Sequence, residues 1–188
     1  MNVYWVRHTR VDVRPGTCYG RLDVPLATTF EADVESILAH VPSGGLVFSS
    51  PLTRCQELAA VLGAGYEVDE RLVEYDFGEW EGRPWAEIEG KAAEAWFNDF
   101  VHVAPPGGES FEQLVGRVQS FWDEVLLERA GKGGDVIVVT HVGVIRAALA
   151  LATGMPLVGV FAFDVHYGSV TEIGFLGTHV QVRGVNKV

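Results

Sequence analysis

The sequence has few cysteines and no long hydrophobic run, and each shortage excludes a class of protein. Cys18 and Cys55 are the only cysteines among 188 residues, too few for the disulfide framework of a small secreted protein. Charges, glycines or prolines interrupt every apolar stretch before it reaches the length that spans a membrane. The first predicted strand starts at residue 2 or 3, which leaves no room for a signal peptide. We therefore expect a cytoplasmic protein with no membrane partner.

Basic residues are also scarce. The chain has 14 Lys and Arg against 25 Asp and Glu, a formal net charge of −11 and a pI of about 4.9. This balance argues against nucleic acid as a partner, because nucleic acid attracts basic proteins. An acidic protein can still bind a small anion where its few arginines are concentrated, so the positions of the arginines matter more than their number.

Strands and helices are predicted to alternate along one domain covering residues 1–188. The 48% hydrophobic content is ordinary for a soluble globule of this length. Short apolar runs predict strands at 3–6, 46–48, 66–68 and 135–140, and helical periodicity predicts helices at 30–40, 52–62 and 144–152. This order predicts an α/β fold, a three-layer α/β/α sandwich with a mostly parallel sheet and two antiparallel strands near 158–175 and 179–185.

Two local signals refine the helices. Ser50 is a suitable N-cap and Pro51 suits the first helical position, so the helix at 52–62 should begin directly at a strand end. A helical insert is expected at about 79–130, with helices at 85–88, 92–100 and 110–130. Ser110 with Gln113 predicts a capping box at the start of the last of these.

Basic residues and histidines occur where predicted strands end. Arg7 and His8 follow the first strand, Arg54 lies in the first turn of the helix after the second, and His141 follows the strand at 135–140. Each alone would most often be structural or solvated. Because the carboxyl ends of parallel strands share one edge of a sheet, we expect the four to converge. Guanidinium groups bind phosphate oxygens, and an imidazole can act as a nucleophile.

Two other kinds of site are less favoured. A metal centre could use the two histidines and a carboxylate, but two arginines at the same place would repel a divalent cation. No short-spaced histidine or cysteine pair supports a metal either. A serine hydrolase would need a Gly-x-Ser-x-Gly turn, which is absent from the sequence. We expect no metal and no cofactor.

Four motifs occur in order along nearly the whole chain. They are Arg-His-Thr at 7–9, Ser-Ser-Pro-Leu-Thr-Arg at 49–54, Leu-Val-Glu at 72–74 followed by Phe-Gly-Glu-Trp-Glu-Gly at 77–82, and Val-Thr-His-Val-Gly-Val-Ile-Arg at 139–146. Together they resemble the histidine phosphatase (phosphoglycerate mutase-like) superfamily. The stretches at 18–26, 96–100 and 106–111 further resemble its α-ribazole phosphatase branch.

The resemblance implies a role for each residue of the predicted site. His8 would attack phosphorus to form a phosphohistidine, while Arg7, Arg54 and His141 would bind the transferring phosphoryl oxygens. Glu74 would protonate the leaving alkoxide and then activate water. Glu79 and Glu81 compete for this role, but the Leu-x-Glu pattern favours Glu74. We expect the other two carboxylates to cap or solvate the following helix.

Substrate contacts are expected from the loop at 10–26 and from the insert. The loop candidates are Arg14, Tyr19, Gly20 and Arg21, with Arg10 as an alternative source of positive charge. Two positions depart from the family pattern, since Thr9 stands where glycine is usual and Arg14 where an asparagine often touches phosphate. Thr9 should be tolerated if its backbone keeps a conformation open to β-branched residues.

Three tryptophans of the insert could line a pocket that stacks on an aromatic base. They are Trp80, Trp85 and Trp96, and we expect at least two of them to pack the inserted helices instead. Cys55 is expected to be a small apolar filler.

The resemblance implies a metal-independent phosphomonoesterase, with α-ribazole 5′-phosphate of cobalamin nucleotide-loop assembly as the leading substrate. The alternatives are a broad-specificity small-molecule phosphatase, a mutase that returns the phosphoryl group to another hydroxyl, and a non-catalytic phosphate-binding scaffold. The short tail after the last predicted strand favours hydrolysis, because it leaves little to exclude water. The partner would be a small phosphomonoester. A homodimer is left open, since the insert could present an apolar patch.

Overall fold

A computed structural model describes residues 1–130, 132–177 and 179–188 of the chain. Within them, six strands form one sheet with the spatial order β3-β2-β4-β1-β5-β6. The strands are β1 (Asn2–Arg7), β2 (Leu46–Ser49), β3 (Glu67–Val68), β4 (Val136–Thr140), β5 (Val170–Leu176) and β6 (His179–Lys187). The pairs among β1, β2, β3 and β4 are parallel, and β5 is antiparallel to both β1 and β6. The predicted mixed sheet with antiparallel strands near the C-terminus is confirmed.

Helices cover both faces of the sheet. They are α1 (Phe30–Leu38), α2 (Thr53–Leu62), α3 (Lys91–Asn98), α4 (Phe111–Phe121) and α5 (Val142–Thr153). Alternate residues of β1 point to opposite faces, as in any strand. Val3 and Trp5 pack in the core formed with α4 and α5, and Val6 packs in the core formed with α1 and α2. The expected three layers are therefore present.

The start of α2 differs from the prediction. Its N-cap is Leu52, in extended conformation and without a side-chain cap hydrogen bond, and the helix begins at Thr53. The Ser50–Pro51 cap was therefore wrong. The hydroxyl of Ser50 lies 2.7 Å from a ring nitrogen of His141, and this tertiary contact replaces the helix cap. Arg54 still lies in the first turn, as expected.

The insert combines helices with irregular segments. The capping box of Ser110 and Gln113 is confirmed, and α4 continues as a π-helical segment over Trp122–Leu127. The predicted helix at 85–88 is a single 3₁₀ turn at Trp85–Glu87.

The strand expected at 158–175 is wrong in its first half. Leu157–Ala162 is 3₁₀-helical, and the strand occupies Val170–Leu176. The apolar residues at 157–162 are compatible with a strand and with a helical turn, because the two cannot be distinguished from a short apolar run alone.

Candidate active site

His8 follows directly on β1 and is held at the carboxyl edge of the sheet. Its backbone N–H donates to the carbonyl of Thr140, at the end of the neighbouring β4, over 2.9 Å. Its side chain is buried, and Nδ1 lies 2.8 Å from the carbonyl oxygen of Thr9. A carbonyl can only accept, so Nδ1 carries the proton and the lone pair lies on Nε2. Burial, Arg54 and Arg7 together lower the pKa of His8 well below its ordinary value of 6.5.

His141 follows β4 and lies beside His8. The two ring centroids are 5.1 Å apart with an interplanar angle of 62°, and the His141 side chain is fully buried. Nε2 lies 2.7 Å from Oγ of Ser50 and 3.5 Å from Sγ of Cys55. Burial, then Arg54, His8 and Arg7, lower the pKa of His141 well below 6.5. The site therefore contains two neutral imidazoles, each fixed by neighbouring polar atoms.

Cys55 itself is a buried part of the core under α2, in agreement with the expected filler role. Burial raises the pKa of its thiol, so the thiolate is disfavoured.

Arg7 and Arg54 supply the positive charge beside the histidines. Nη1 of Arg7 donates to the carbonyl of Val165 over 2.6 Å, and the Arg7 guanidinium lies 3.8 Å from the centre of the Tyr167 ring. Arg54 is fully buried. In both arginines Nε is buried and has no hydrogen-bond partner within the described part of the chain. Buried donors without partners are costly, so both groups suit an anionic ligand.

The loop at 20–22 holds Arg54 in place. Nη2 of Arg54 donates to the Gly20 carbonyl over 2.6 Å and Nη1 donates to the Leu22 carbonyl over 2.9 Å. The carboxylate of Glu81 in turn accepts the backbone N–H groups of residues 20, 21 and 22. Glu81 therefore anchors this loop, and the expectation that it caps or solvates a helix was wrong.

Glu74 is a buried carboxylate held by backbone donors. Oε1 accepts the N–H of Tyr75 over 2.9 Å and that of Gly143, near the start of α5, over 3.1 Å. Oε2 has only a 3.4 Å contact with the Gly143 N–H. Arg117 fixes the backbone at this position, since its Nη2 donates to the Glu74 carbonyl over 3.1 Å. Oε2 is thus the freer oxygen.

A cavity of about 540 Å³ adjoins these groups. Arg7, His8, Glu74 and Gly143 contribute to its lining, together with Arg146. Most of the remaining wall is aromatic, formed by Tyr19, Tyr75, Phe77, Trp85, Trp96, Phe97, Phe100, Phe111, Phe161 and Tyr167. The structure therefore brings Arg7, His8, Arg54, Glu74 and His141 together, as the sequence motifs predict, next to a mainly apolar chamber.

The loop candidates are placed in different ways. Tyr19 lines the cavity, and its hydroxyl is hydrogen-bonded to that of Tyr167. Gly20 is buried, and a methyl group there would overlap with the Tyr75 carbonyl oxygen, so the close approach requires glycine. Arg14 is exposed and is not part of the cavity lining.

Arg21 and Arg10 also lie outside the cavity lining. The guanidinium of Arg21 pairs with Asp76 at 3.1 Å and with Glu109 at 3.4 Å, and that of Arg10 pairs with Asp33 at 3.2 Å. The expected substrate contacts of Arg14, Gly20 and Arg21 stay predictions, with Arg14 and Arg21 outside the lining of this cavity. Carboxylates of this acidic protein neutralise Arg10 and Arg21.

Thr9 does not adopt the positive φ that would favour glycine. Within the described ranges, Asn186 is the one non-glycine residue with positive φ. Replacing the usual glycine by threonine therefore introduces no backbone strain at this position.

The three tryptophans divide between core and cavity. Trp80 is buried in a small cluster with Cys18, Ile88 and Ala93 and does not line the cavity. Trp85 and Trp96 pack against this cluster and also line the cavity, with their rings stacked at 5.8 Å. All three tryptophans therefore pack the insert, and Trp85 and Trp96 line the cavity in addition. Stacking of either on an aromatic base stays a prediction.

Sequence reasoning missed Tyr167. Its ring lies 5.5 Å from that of His8 and covers the Arg7 guanidinium. The residue comes just before β5, at a position that the prediction had placed inside a strand. A correct start for β5 would have placed Tyr167 in a loop at the same edge of the sheet.

Two further features concern metals and membranes. Across residues 1–130, 132–177 and 179–188, no group of three or more His, Cys, Asp or Glu side chains is arranged to hold a metal ion. The helices of these same ranges are all too short or too polar to cross a membrane.

The family follows from the match of the whole chain. The model of the histidine phosphatase superfamily (branch 1) matches residues 3–188, and the protein belongs to this superfamily. Its fold is similar to the crystal structure of the α-ribazole phosphatase from Shigella flexneri, with a TM-score of 0.89 and 25% identity over 99% of this chain and 96% of that one.

The chain is also similar to curated proteins that are named as phosphatases of different substrates. The chain is 27% identical to the adenosylcobalamin/α-ribazole phosphatase of Escherichia coli, over 99% of its own length and 96% of that protein. It is 28% identical to a putative phosphoserine phosphatase 2 of Hydrogenobacter thermophilus, over 99% and 95%.

A higher identity is confined to part of the chain. Over 118 residues, 58% of the chain, it is 39% identical to the bifunctional protein Rv2228c of Mycobacterium tuberculosis. That alignment covers 32% of the relative, so the chain spans about a third of the length of this mycobacterial protein and of a matching protein of Mycobacterium bovis.

Proposed function

We propose that the protein hydrolyses small phosphate monoesters through a phosphohistidine on His8, without a metal ion. The observation that carries the proposal is a neutral, buried imidazole flanked by two arginines. With Nδ1–H donating to the Thr9 carbonyl, the lone pair on Nε2 is available for attack. The lowered pKa of His8 keeps that lone pair unprotonated at neutral pH.

In the first step, Nε2 of His8 forms a bond to phosphorus while the bond between phosphorus and the ester oxygen breaks. Arg7, Arg54 and His141 donate to the three peripheral oxygens, where charge accumulates in the transition state. The positive charge of Arg7 and Arg54 takes the place that a metal ion occupies in other phosphoryl-transfer enzymes. The Nε atoms of Arg7 and Arg54, which have no hydrogen-bond partner among the described residues, support this assignment.

Glu74 acts on the departing group. Its Oε2 carries the proton in the substrate complex and transfers it to the leaving alkoxide, so that a neutral alcohol departs. In the second step the resulting carboxylate takes a proton from water as the water oxygen attacks phosphorus. The bond from phosphorus to Nε2 then breaks, and inorganic phosphate and neutral His8 are formed.

We further propose α-ribazole 5′-phosphate as the physiological substrate. The aromatic wall of the cavity supports it, because Trp85, Trp96 and Phe97 line the cavity and aromatic side chains pack favourably against an aromatic group such as a benzimidazole. Similarity to two α-ribazole phosphatases points the same way. The similarity to a putative phosphoserine phosphatase makes small polar esters the comparison substrates.

The test is phosphate release in the presence of a chelator. We expect α-ribazole 5′-phosphate to be hydrolysed with a higher kcat/KM than phosphoserine, nucleotide, sugar or glycerate phosphates. His8→Ala should release no phosphate from any of them. Broad, weak turnover by the wild-type protein would remove the substrate assignment alone. Turnover by His8→Ala, or loss of wild-type turnover when a chelator is added, would overturn the mechanism. An isomerised ester in place of free phosphate would identify a mutase.

A further inference from the structure

Arg146 lines the same cavity as His8 and Glu74 but has no part in the reaction described above. It lies on α5, one helical turn after Gly143, whose N–H holds Glu74. The side chain is half-buried. It is therefore a cation close to the reacting groups whose role the phosphoryl-transfer steps leave open.

The protein provides Arg146 with few hydrogen-bond partners. Nη2 donates to the Phe163 carbonyl over a long 3.3 Å, and the guanidinium lies 4.7 Å from the centre of the Phe161 ring. Nε is buried and has no partner among the residues that the structure describes. A guanidinium has five N–H donors, and leaving such donors unpaired in a buried place is unfavourable.

Several other arginines of this acidic chain have carboxylate partners. Arg117 pairs with Glu109 at 2.7 Å, and Arg71 pairs with Asp69 at 2.7 Å. Over the described ranges, no carboxylate oxygen lies within 4.0 Å of the Arg146 guanidinium. Burial lowers the pKa of Arg146, and Glu74 opposes this effect, but an arginine stays charged under all ordinary conditions. The charge of Arg146 is thus retained without an ion pair.

Apart from Thr17 and from Arg7, His8 and Glu74, which the proposed reaction uses, the rest of the cavity wall is mainly aromatic. The Tyr75 hydroxyl already accepts the indole N–H of Trp96 over 3.1 Å, and Tyr19 and Tyr167 bond to each other. Phenylalanine and tryptophan rings make up much of the remaining surface. In a mainly apolar chamber, one charged donor with free N–H groups strongly favours an oxygen acceptor on the ligand.

We propose that Arg146 is a specificity-determining residue that donates to an oxygen acceptor, a carboxylate or a hydroxyl, on the alcohol portion of the phosphate ester. This proposal rests on the proposed function, because it takes the phosphoryl group to lie at His8. It defines the substrate class as esters whose alcohol combines an apolar or aromatic body with such an oxygen.

Three aryl esters that share the same ring and differ in one substituent test it. Phenyl phosphate has no acceptor on its ring, 3-hydroxyphenyl phosphate has a neutral one, and 3-carboxyphenyl phosphate has an anionic one. For Arg146→Met we expect kcat/KM to fall about 10- to 100-fold with the carboxyphenyl ester and about 2- to 10-fold with the hydroxyphenyl ester. Phenyl phosphate should lose less than about 3-fold. Comparing the variant with the wild type for each ester cancels the different reactivities of the leaving groups.

Two further variants serve as controls. Arg146→Lys keeps the charge and should recover part of the loss with the carboxyphenyl ester, even if the methionine variant is less stable. Arg129→Met removes an exposed arginine outside the cavity and should leave all three values unchanged. Equal losses for the three esters, or no loss for any, would overturn the specificity role of Arg146.

A binding measurement separates this proposal from the proposed function. Calorimetry with His8→Ala gives the Kd of each ester whether or not the ester is hydrolysed. Adding Arg146→Met to this variant should raise the Kd of the carboxyphenyl ester about 10- to 100-fold and leave the Kd of phenyl phosphate nearly unchanged. If wild-type protein hydrolyses none of the esters while this difference persists, the hydrolase proposal fails and the role of Arg146 stands. If hydrolysis occurs without the difference, Arg146 has no such role.

Discussion

At the scale of single residues, His8 differs from an exposed histidine in two respects that both favour nucleophilic attack. Burial and the charges of Arg54 and Arg7 keep it neutral at pH values where an exposed histidine is protonated. The Thr9 carbonyl fixes the ring and its tautomer. A side chain that is unprotonated, oriented and next to two guanidinium groups needs little reorganisation to react with an anionic phosphate ester.

Glu74→Gln tests the assignment of the proton donor. It keeps the size of the side chain but removes the proton, so hydrolysis of an alkyl phosphate should slow by about 10²- to 10⁴-fold. With p-nitrophenyl phosphate, whose leaving group departs without a proton, we expect a rapid burst of nitrophenol followed by slow turnover. Stopped-flow absorbance measures both phases.

The control for Glu74→Gln is Glu79→Gln. Glu79 is an exposed carboxylate of the same segment and does not line the cavity, so its variant should behave as wild type. Loss of the burst along with the turnover would contradict a proton-donor role for Glu74. An equal loss for Glu79→Gln would do so as well.

The sequence predicts the residues that lie at strand ends and misses those that tertiary contacts bring in. Arg7, His8 and His141 could be found because each follows an apolar run with a clear end. The pairing of Arg21 with Asp76 and Glu109 could not be predicted, since it depends on how distant segments fold together. The contact of Ser50 with His141 joins positions 91 residues apart, and local signals suggest a helix cap there instead.

At the scale of secondary-structure elements, the start of α5 connects the two halves of the site. The helix begins immediately after His141, and the N–H of its second residue, Gly143, donates to Glu74. N–H groups in a first turn have no partner within their helix, and a carboxylate there is also favoured by the helix dipole. The helix therefore orients Glu74, the proposed proton donor, while the preceding residue lies beside His8.

Gly143→Ala tests this coupling. A methyl group at position 143 would overlap with Oε1 of Glu74, so the carboxylate must move. Alanine otherwise suits a helix better than glycine, by up to about 1 kcal/mol. We expect kcat to fall at least about 10-fold, as for a displaced catalytic group, without a comparable loss of thermal stability.

Gly116→Ala is the matched control. Apart from its chain neighbours and the nearby backbone of α4 itself, no atom of the described residues lies within 4 Å of a methyl group added at position 116. This variant should keep wild-type activity and match or exceed the wild-type melting temperature. Normal activity of Gly143→Ala would show that the close contact with Glu74 is not needed. Phosphate release and thermal melts monitored by circular dichroism give both quantities.

Elements with a clear hydrophobic pattern or with clear capping and turn residues were predictable, and irregular elements were not. The strands β1, β2 and β4 and the capping box of α4 follow from local patterns. The 3₁₀ segment at Leu157–Ala162 does not, because its apolar residues pack against the core from a helical turn. The order of strands in the sheet and the shape of the insert depend on long-range packing, which the sequence pattern does not encode locally.

At the scale of the whole molecule, the parallel arrangement of β2, β4 and β1 brings residues from opposite ends of the chain to one edge. The site combines residue 8 with residue 141 because β1 and β4 are neighbours in register. The insert then closes one side of the cavity with its aromatic residues. The homodimer and the cytoplasmic location stay predictions.

The buried neutral histidines predict how stability depends on pH. Their pKa values in the folded protein lie below the 6.5 of the unfolded chain, so the unfolded state binds more protons as the pH falls below 6.5. Stability should therefore decrease with acidification, by about 1 kcal/mol per histidine between pH 6.5 and 5.5, and the loss should end below the folded pKa values. Urea unfolding at several pH values measures it.

Single-histidine variants identify the source of that pH dependence. His8→Ala and His141→Asn should each reduce the change in unfolding free energy between pH 6.5 and 5.5 by about 1 kcal/mol. An unchanged pH dependence in both would mean that these imidazoles take up protons in the folded protein. The neutral nucleophile would then lose its support.

The most direct test of the account is to trap the intermediate. Protein mixed with a ³²P-labelled phosphomonoester and quenched with alkali within milliseconds should carry label in an acid-labile, alkali-stable bond, located at His8 by peptide mapping. His8→Ala should carry none, and the labelled wild-type species should decay at a rate no slower than kcat. Hydrolysis at the normal rate with no labelled protein, or label on a residue other than His8, would contradict the mechanism.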